Sequence, residues 1–333
     1  MKYLSSSKTK IFFSYLIFCI FLAGIFALSL LTGAEKINLQ NLFNNDSISF
    51  LILFKLRLPR SLLVLISGFL MAGAGAVFQL FFRNSLAEPG IMGISAGATL
   101  GAVSATALGF SSAVAFISPV NIWAFAGALI SGFVVTLLAT GKSSKESSIM
   151  LLLCGTALGT LYSAISSIIL LTKSNEIRSI YAWTLGSFNG RGWNELLFIL
   201  IPSVLSIVIM FVISPMLDLL TGGEDSAESL GLNLRLLRIL VLICGAFACS
   251  SAVCAGGTIN FIGLIAPHIV RKIIGPKAKN LIPFSMIFGG ILLLLADTLA
   301  RTLIAPAELP TGILTAILGV PFFISLCLRY KKM

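Results

Sequence analysis

Apolar residues along this 333-residue chain come in long runs, broken by short polar gaps. An α-helix needs about 20 apolar residues to cross the hydrocarbon core of a bilayer. By that measure the pattern predicts about ten spans, near 11–31, 59–81, 92–110, 121–140, 148–171, 194–214, 237–255, 258–274, 281–303 and 311–328. Backbone groups inside lipid must find their hydrogen bonds within the protein, so the expected fold is an all-α polytopic membrane protein. The region 255–275 fits least well, because Gly256, Gly257 and Pro267 interrupt it. The first run follows Lys2, Lys8 and Lys10 and is longer than the roughly 7–15 residues of a secretory-signal core. It is read as a retained first helix.

Gaps between the runs are short. The largest, about 32–58, 172–193 and 215–236, are too small to hold a soluble domain. A single transmembrane domain over 1–333 is expected, and any ATPase must be a separate chain.

Composition agrees. Hydrophobic residues make up 57% and charged residues 11%, against about 25% charged in soluble domains; the mean hydropathy is +1.04. The net charge of +11 could suggest nucleic acid. The basic residues sit in the gaps between apolar runs, however, which is a topological pattern and no nucleic-acid footprint. With ten spans and a cytoplasmic N-terminus, fifteen Lys and Arg fall inside and eight outside, accounting for all 23. Both termini are therefore expected in the cytoplasm. Arg57, Arg60 and Arg301 stand against the rule at outer helix ends. The six cysteines lie in apolar runs without a CxxC pair, so neither a disulfide framework nor a metal site is indicated.

An internal echo is present. RLPRSLLVLISGF (57–69) resembles RLLRILVLICGAF (235–247) at an offset of 178, which also pairs Leu86 with Leu264 and Pro89 with Pro267. The two copies enter the membrane from opposite sides. This suggests an inverted repeat of helices 2–5 and 7–10, an architecture that places a transport path between halves. Chance similarity between apolar segments is the alternative.

Several motifs carry candidate chemistry. GISAG (93–97) matches a nucleophile elbow, which requires a strand–turn–helix corner that a membrane helix does not supply. TGKSS (140–144) lacks the first glycine of a phosphate-binding loop, since Thr136 occupies that place. Gly90, Gly93, Gly97 and Gly101 share one helix face and suit close packing. Arg83, Asn84, Glu88 and Pro89 form a polar, proline-broken corner beside it, where a pathway gate could sit. His268 follows Pro267 and suits a hydrogen bond at a helix break or a proton transfer. Asp297 and Arg301 are spaced for an ion pair, either structural or functional. Residues 214–238 mix Leu219, Leu220, Leu230 and Leu232 with glycines and acids. That pattern reads as short helices offered to a partner, or as a solvated loop.

Together these blocks resemble a known family. RLPR (57–60), RNSLAEPGIMGISAGA (83–98), SAESLGLN (226–233), INFIGLIAPHIVR (259–271) and LADTLARTLIAPAELPTGILTAILGVPFF (295–323) are similar to recurrent blocks of the permeases of bacterial ABC importers for iron–siderophore complexes, haem and vitamin B12 (FecCD type), in the same order over about 50–330. The resemblance implies ten helices per chain, a homodimer or close heterodimer with a central path, two cytoplasmic ATPase subunits and one external binding protein. It implies a multi-pass place in the bacterial cytoplasmic (inner) membrane and docking of that binding protein on Arg57, Arg60 and Arg301. It implies a cytoplasmic gate at Asn84 and Leu86, with a second gate near Ser147 and Ser148. The ATPases would engage 216–234, at Ser226, Ala227, Glu228, Ser229, Leu230 and Gly231. No cofactor is expected in this chain, because ATP and Mg would sit on the partner. Family members usually read RNPLAEPG, so Ser85 in place of proline would loosen the corner. The cargo would be a ferric siderophore, haem or related metal chelate, with cobalamin as the alternative. An ion-coupled carrier is the competing class and would need midplane carboxylates, of which Asp297 comes nearest.

Overall fold

The computed structural model describes residues 5–33, 35, 48–110, 118–138, 144–172 and 184–330, with side chains for all of these except 5–10, 91–92, 144–148, 327 and 329–330. Every regular element among them is helical. The α-helices are α1 (Ser5–Leu31), α2 (Leu58–Phe81), α3 (Ile94–Ala107), α4 (Pro119–Leu138), α5 (Ser144–Thr172), α6 (Trp193–Leu220), the short α7 (Glu224–Ser229), α8 (Leu234–Gly256), α9 (Ile262–Ile274), α10 (Ala278–Thr302) and α11 (Thr311–Tyr330).

Apart from α7, each helix falls on one predicted span, and seven helical runs are long and apolar enough to cross a membrane. Two expected spans differ. The 14 residues of α3 and 13 of α9 rise only about 20 Å, less than the ~30 Å hydrocarbon core. A 3-10 turn, Pro89–Met92, precedes α3, and irregular chain precedes α9. Such backbone survives at membrane depth because protein, not lipid, surrounds it. Helix α6 continues through Leu220 despite Pro202 and Pro215.

The helices alternate between two ends of the bundle. At one end the Asp218 carboxylate of α6 accepts from the Ala278 N–H at the start of α10 (2.6 Å), and α7 joins α6 to α8. At the opposite end Arg57 and Arg301 bond the last turn of α1, and Arg60 bonds Asp297 of α10. Hence α2 runs toward the α7 end and α8 away from it, the antiparallel relation that the internal echo predicts. The backbone adds a second trace of the repeat. Arg83 (φ 51°) and Phe261 (φ 68°) are the two non-glycine residues with positive φ among those described, and they stand 178 apart. Pro89 and Pro267 do not match in the same way: one opens a 3-10 turn and the other lies inside α9.

Helices α2, α8 and α10 form the centre, with most of their residues buried, whereas the apolar stretch of α1 is unburied by the chain. The predicted glycine face packs α3 on α4. A Cβ added at Gly97 would lie 2.6 Å from the Gly127 carbonyl oxygen, so backbones touch there as small-residue membrane interfaces allow. Gly90 stands apart from that face, in the 3-10 turn. Ser95 lies in the first turn of α3, not at a strand-to-helix corner. His268 packs edge-on to Phe322 of α11 (5.8 Å between ring centres). TGKSS lies mostly outside the described residues.

Candidate functional site

The three outer arginines come together through a local departure from helical regularity. Ile48–Leu51 runs through a π-helical stretch, Ile52–Arg57, into α2. In that stretch the Leu58 N–H reaches back to the Leu53 carbonyl. Pro59 follows and has no N–H, so the Phe54 carbonyl loses its next intrahelical donor. Trp193 Nε1 donates to it instead (3.1 Å). The wide turn brings Arg57 to the end of α1, where Nη1 donates to the Leu30 and Leu31 carbonyls (3.0 Å each) and Nη2 to that of Glu35.

Arg60 points the other way. It donates to Asp297 from Nη2 (2.9 Å) and Nε (3.2 Å), and from Nη1 to Glu308 Oε2 (2.8 Å). Asp297 is fully buried and also receives Thr311 Oγ1 (3.0 Å). Its second oxygen lies 3.2 Å from Arg301 Nε, one helical turn away. Arg301 Nη2 donates to the carbonyl and hydroxyl of Ser29 (3.0 and 2.8 Å). The predicted Asp297–Arg301 pair is thus one half of a three-helix clamp, in which one carboxylate serves two guanidiniums. All three arginines are largely buried within the chain. They nevertheless line one depression of about 350 Å³, together with Lys55, Arg191, Glu35 and Glu308. Five basic and two acidic side chains give that basin a positive balance.

At the α7 end the polar corner after α2 is folded on itself. Asn84 Oδ1 accepts the Leu86 N–H (2.9 Å), an Asx turn that fixes the backbone at Leu86. Glu88 crosses to the other broken segment, where its Oε1 accepts the Phe261 N–H (2.9 Å) at the N-terminus of α9. A carboxylate suits that position, because the aligned peptide dipoles leave partial positive charge there. Gln79 Nε2 adds a bond to the Leu264 carbonyl (3.2 Å). Asn84, Leu86 and Glu88 line a mostly apolar cavity of about 490 Å³, shared with Ile149 and Leu152 of α5 and Phe323 of α11. Ser147 and Ser148 sit in the first turns of α5, immediately before Ile149; their side chains are outside the described set.

The connection between α6 and α8 is compact. The Gly231 N–H bonds the Glu228 carbonyl (2.8 Å) and the Leu232 N–H that of Ala227 (3.0 Å), with Gly231 at φ 86°. This is a Schellman closure, which places a glycine at the left-handed position. Ala227 and Leu232 are buried beneath it, and Ser226, Glu228, Ser229 and Gly231 face outward. Of the four leucines singled out in the sequence, Leu220 and Leu232 belong to the chain's own core. Leu219 and Leu230 are exposed, Leu230 at 70%. Arg83 Nη2 donates to the Thr221 carbonyl (3.2 Å), linking this connection to the polar corner.

Sequence reasoning missed the long-range partners: Asp297 and Glu308 for Arg60, Phe261 for Glu88, Thr221 for Arg83. Each lies more than 130 residues away, and periodicity carries no information over that distance. Among the described residues no three His, Cys, Asp or Glu gather as a metal-binding group.

A bundle of membrane-length helices with two broken segments meeting inside it defines a polytopic membrane transport protein. The chain belongs to the FecCD transport family, whose model matches residues 19–329. It is 36% identical over 330 residues to a Fe(3+)-citrate import system permease of Bacillus subtilis, covering 98% of each chain. It is also 36% identical to a hemin transport system permease of Yersinia pestis, covering 90% of each. A solved metal-chelate type ABC transporter in an inward-facing conformation superposes with a TM-score of 0.83 at 31% identity, covering 94% of this chain and 98% of the other.

Proposed function

We propose that the chain is the membrane-spanning subunit of an ATP-driven importer for a ferric siderophore, haem or a related metal chelate, with cobalamin the alternative cargo. The single observation that carries this reading is the exposed Leu230 apex on a rigidly closed turn, tied through Arg83 to the cavity-lining corner. An apolar apex at a membrane surface is stable when a partner covers it. The natural partner is a cytoplasmic ATPase, one for each of two copies of this chain, with ATP and Mg held there. The basic excess at the α7 end supports placing that end, and both termini, in the cytoplasm.

Asn84, Leu86, Ser147 and Ser148 would then close the inner end of the path. The exposed apolar side chains of α5 and α11 would face a second copy. The positive basin around Arg57, Arg60 and Arg301 would receive carboxylates of an external binding protein. Arg60 and Arg301 neutralise Asp297, which removes the carboxylate that an ion-coupled carrier would need. The test is uptake into vesicles holding this chain with a coexpressed ATPase and binding protein, supplied in turn with ferric siderophore, haem and cobalamin. ATP-dependent accumulation of one cargo is expected. Accumulation driven by an ion gradient without the ATPase would overturn the reading.

A further inference from the structure

Helix α1 stands on the outside of the bundle, packed mainly along α10. Where its first described side chains meet the start of α10, a depression of about 560 Å³ opens, lined by Ile11, Phe12 and Tyr15 on one side and Lys277, Lys279 and Asn280 on the other. Lys277 and Lys279 are exposed, and neither has an ion pair among the described residues. Asp218 also borders the depression, but its carboxylate is pinned to the Ala278 N–H at the helix start. A neighbouring depression of about 420 Å³ shares Asp218 and Lys277, so the polar end is wider than one small ion requires.

The wall beyond the lysines is apolar. Phe12 lines the depression, and Phe12, Leu16 and Ile20, stacked on successive turns of α1, are exposed. From Phe12 to Ile20 the helix rises about 12 Å, most of the depth of one leaflet, which is half of the ~30 Å hydrocarbon core. Tyr15 lies at the junction, its ring 3.8 Å from that of Phe284, where amphipathic rings favour the headgroup level. A cationic rim continuing into an apolar wall one leaflet deep is complementary to an anionic amphiphile. Free phosphate would use the rim and leave the wall uncovered.

We propose that this depression seats one glycerophospholipid with an anionic headgroup, its phosphate between Lys277 and Lys279 and an acyl chain along α1. The site lies in the leaflet at the α7 end and is separate from both the basin and the cavity described above.

The test uses the full-length purified chain, with bound lipid counted by native mass spectrometry after titration with phosphatidylglycerol or phosphatidylcholine. One phosphatidylglycerol should be retained in preference to phosphatidylcholine. Basic residues near a surface contribute roughly fivefold each to anionic-lipid binding, so the K277Q/K279Q variant should lose retention by at least about tenfold. K272Q removes an exposed charge at the same end, outside the depression, and should retain lipid as the parent does. Equal retention of the two lipids, or equal loss in K272Q, would show a general surface effect and overturn the proposal. Displacement of the lipid by inorganic phosphate would reassign the depression as a free-anion site.

Discussion

Arg83 Nη2 donates to the Thr221 carbonyl across 3.2 Å, joining the corner that follows α2 to the point where α6 gives way to α7. Arg83 holds a left-handed backbone conformation, φ 51°, which costs a non-glycine residue on the order of 1 kcal/mol. Its exposed side chain reaches a carbonyl at a helix C-terminus, a position that favours cations. The corner that lines the inner cavity and the α6–α8 connection are therefore mechanically linked.

If that link transmits motion, its loss should separate ATP use from cargo movement. The R83A variant removes one exposed hydrogen bond, worth about 1 kcal/mol, so the fold should persist. A bias of that size changes a two-state gate equilibrium about fivefold. If the proposed ATPase partner is reconstituted with it, the R83A complex should hydrolyse ATP at near-parental rate and import roughly fivefold less cargo per ATP. Parental stoichiometry would rule out Arg83 as the link.

The clamp at the other end makes a contrasting prediction. Asp297 is buried between Arg60 and Arg301, so D297N would leave two buried guanidiniums facing each other. Removing one partner of a buried ion pair typically costs about 3–5 kcal/mol, and a marked drop in the thermal midpoint of the purified chain should result. Glu308 is partly exposed, and E308Q should shift stability by under about 1 kcal/mol. It would remove one of the two negative charges lining the basin. Binding-protein affinity should then rise severalfold in E308Q, more at low salt than at high. Unchanged affinity in E308Q and after charge reversal at Arg57, Arg60 and Arg301 would remove the basin from docking.

The membrane class, the ten helices and the family were legible in the sequence because each rests on local pattern. Spans follow from run length, and the close-packing face of α3 from glycines four apart, though not which helix it meets. The two short helices were harder to read. Hydropathy sees that 92–110 and 258–274 are apolar but not that Pro89 and the left-handed Phe261 hold their first residues out of the helix. Arg57, Arg60 and Arg301 stood out as exceptions to the charge rule. Their burial did not, because the counterion of Arg60 lies 237 residues away. In the α6–α8 connection, composition located the segment. Which leucine anchors and which protrudes depends on the turn at Gly231, and two of the four turned inward.

The glycine face of α3 is testable without any partner. At Gly97 a single added carbon falls 2.6 Å from both the Gly127 carbonyl and the Ser131 Cβ. Neither backbone can yield without separating α3 from α4. G97V should therefore cost more than the roughly 1–3 kcal/mol of ordinary overpacking, and yield of folded, monodisperse protein should fall severely. G90A, in the 3-10 turn with no atom nearer than 3.9 Å to the new carbon, should be tolerated. Equal tolerance of the two would contradict the close approach.

The coupling surface can be tested by separating the shape of the turn from its apex. G231A forces a Cβ onto a left-handed backbone, φ 86°, and should cost about 1 kcal/mol by loosening the closure over Ala227 and Leu232. L230D leaves the closure intact, because Leu230 is 70% exposed and its backbone N–H still reaches the Ser226 carbonyl. If the apex inserts into an ATPase, L230D should leave the chain's own thermal midpoint unchanged yet abolish copurification with the coexpressed ATPase. A truncated hot-spot side chain typically costs at least about 2 kcal/mol of binding, or thirtyfold in affinity. G231A should weaken the same association less and lower the chain's stability more. Should L230D copurify and transport at parental levels, the apex is not the grip, and the ATPase must hold the chain elsewhere on its α7 end.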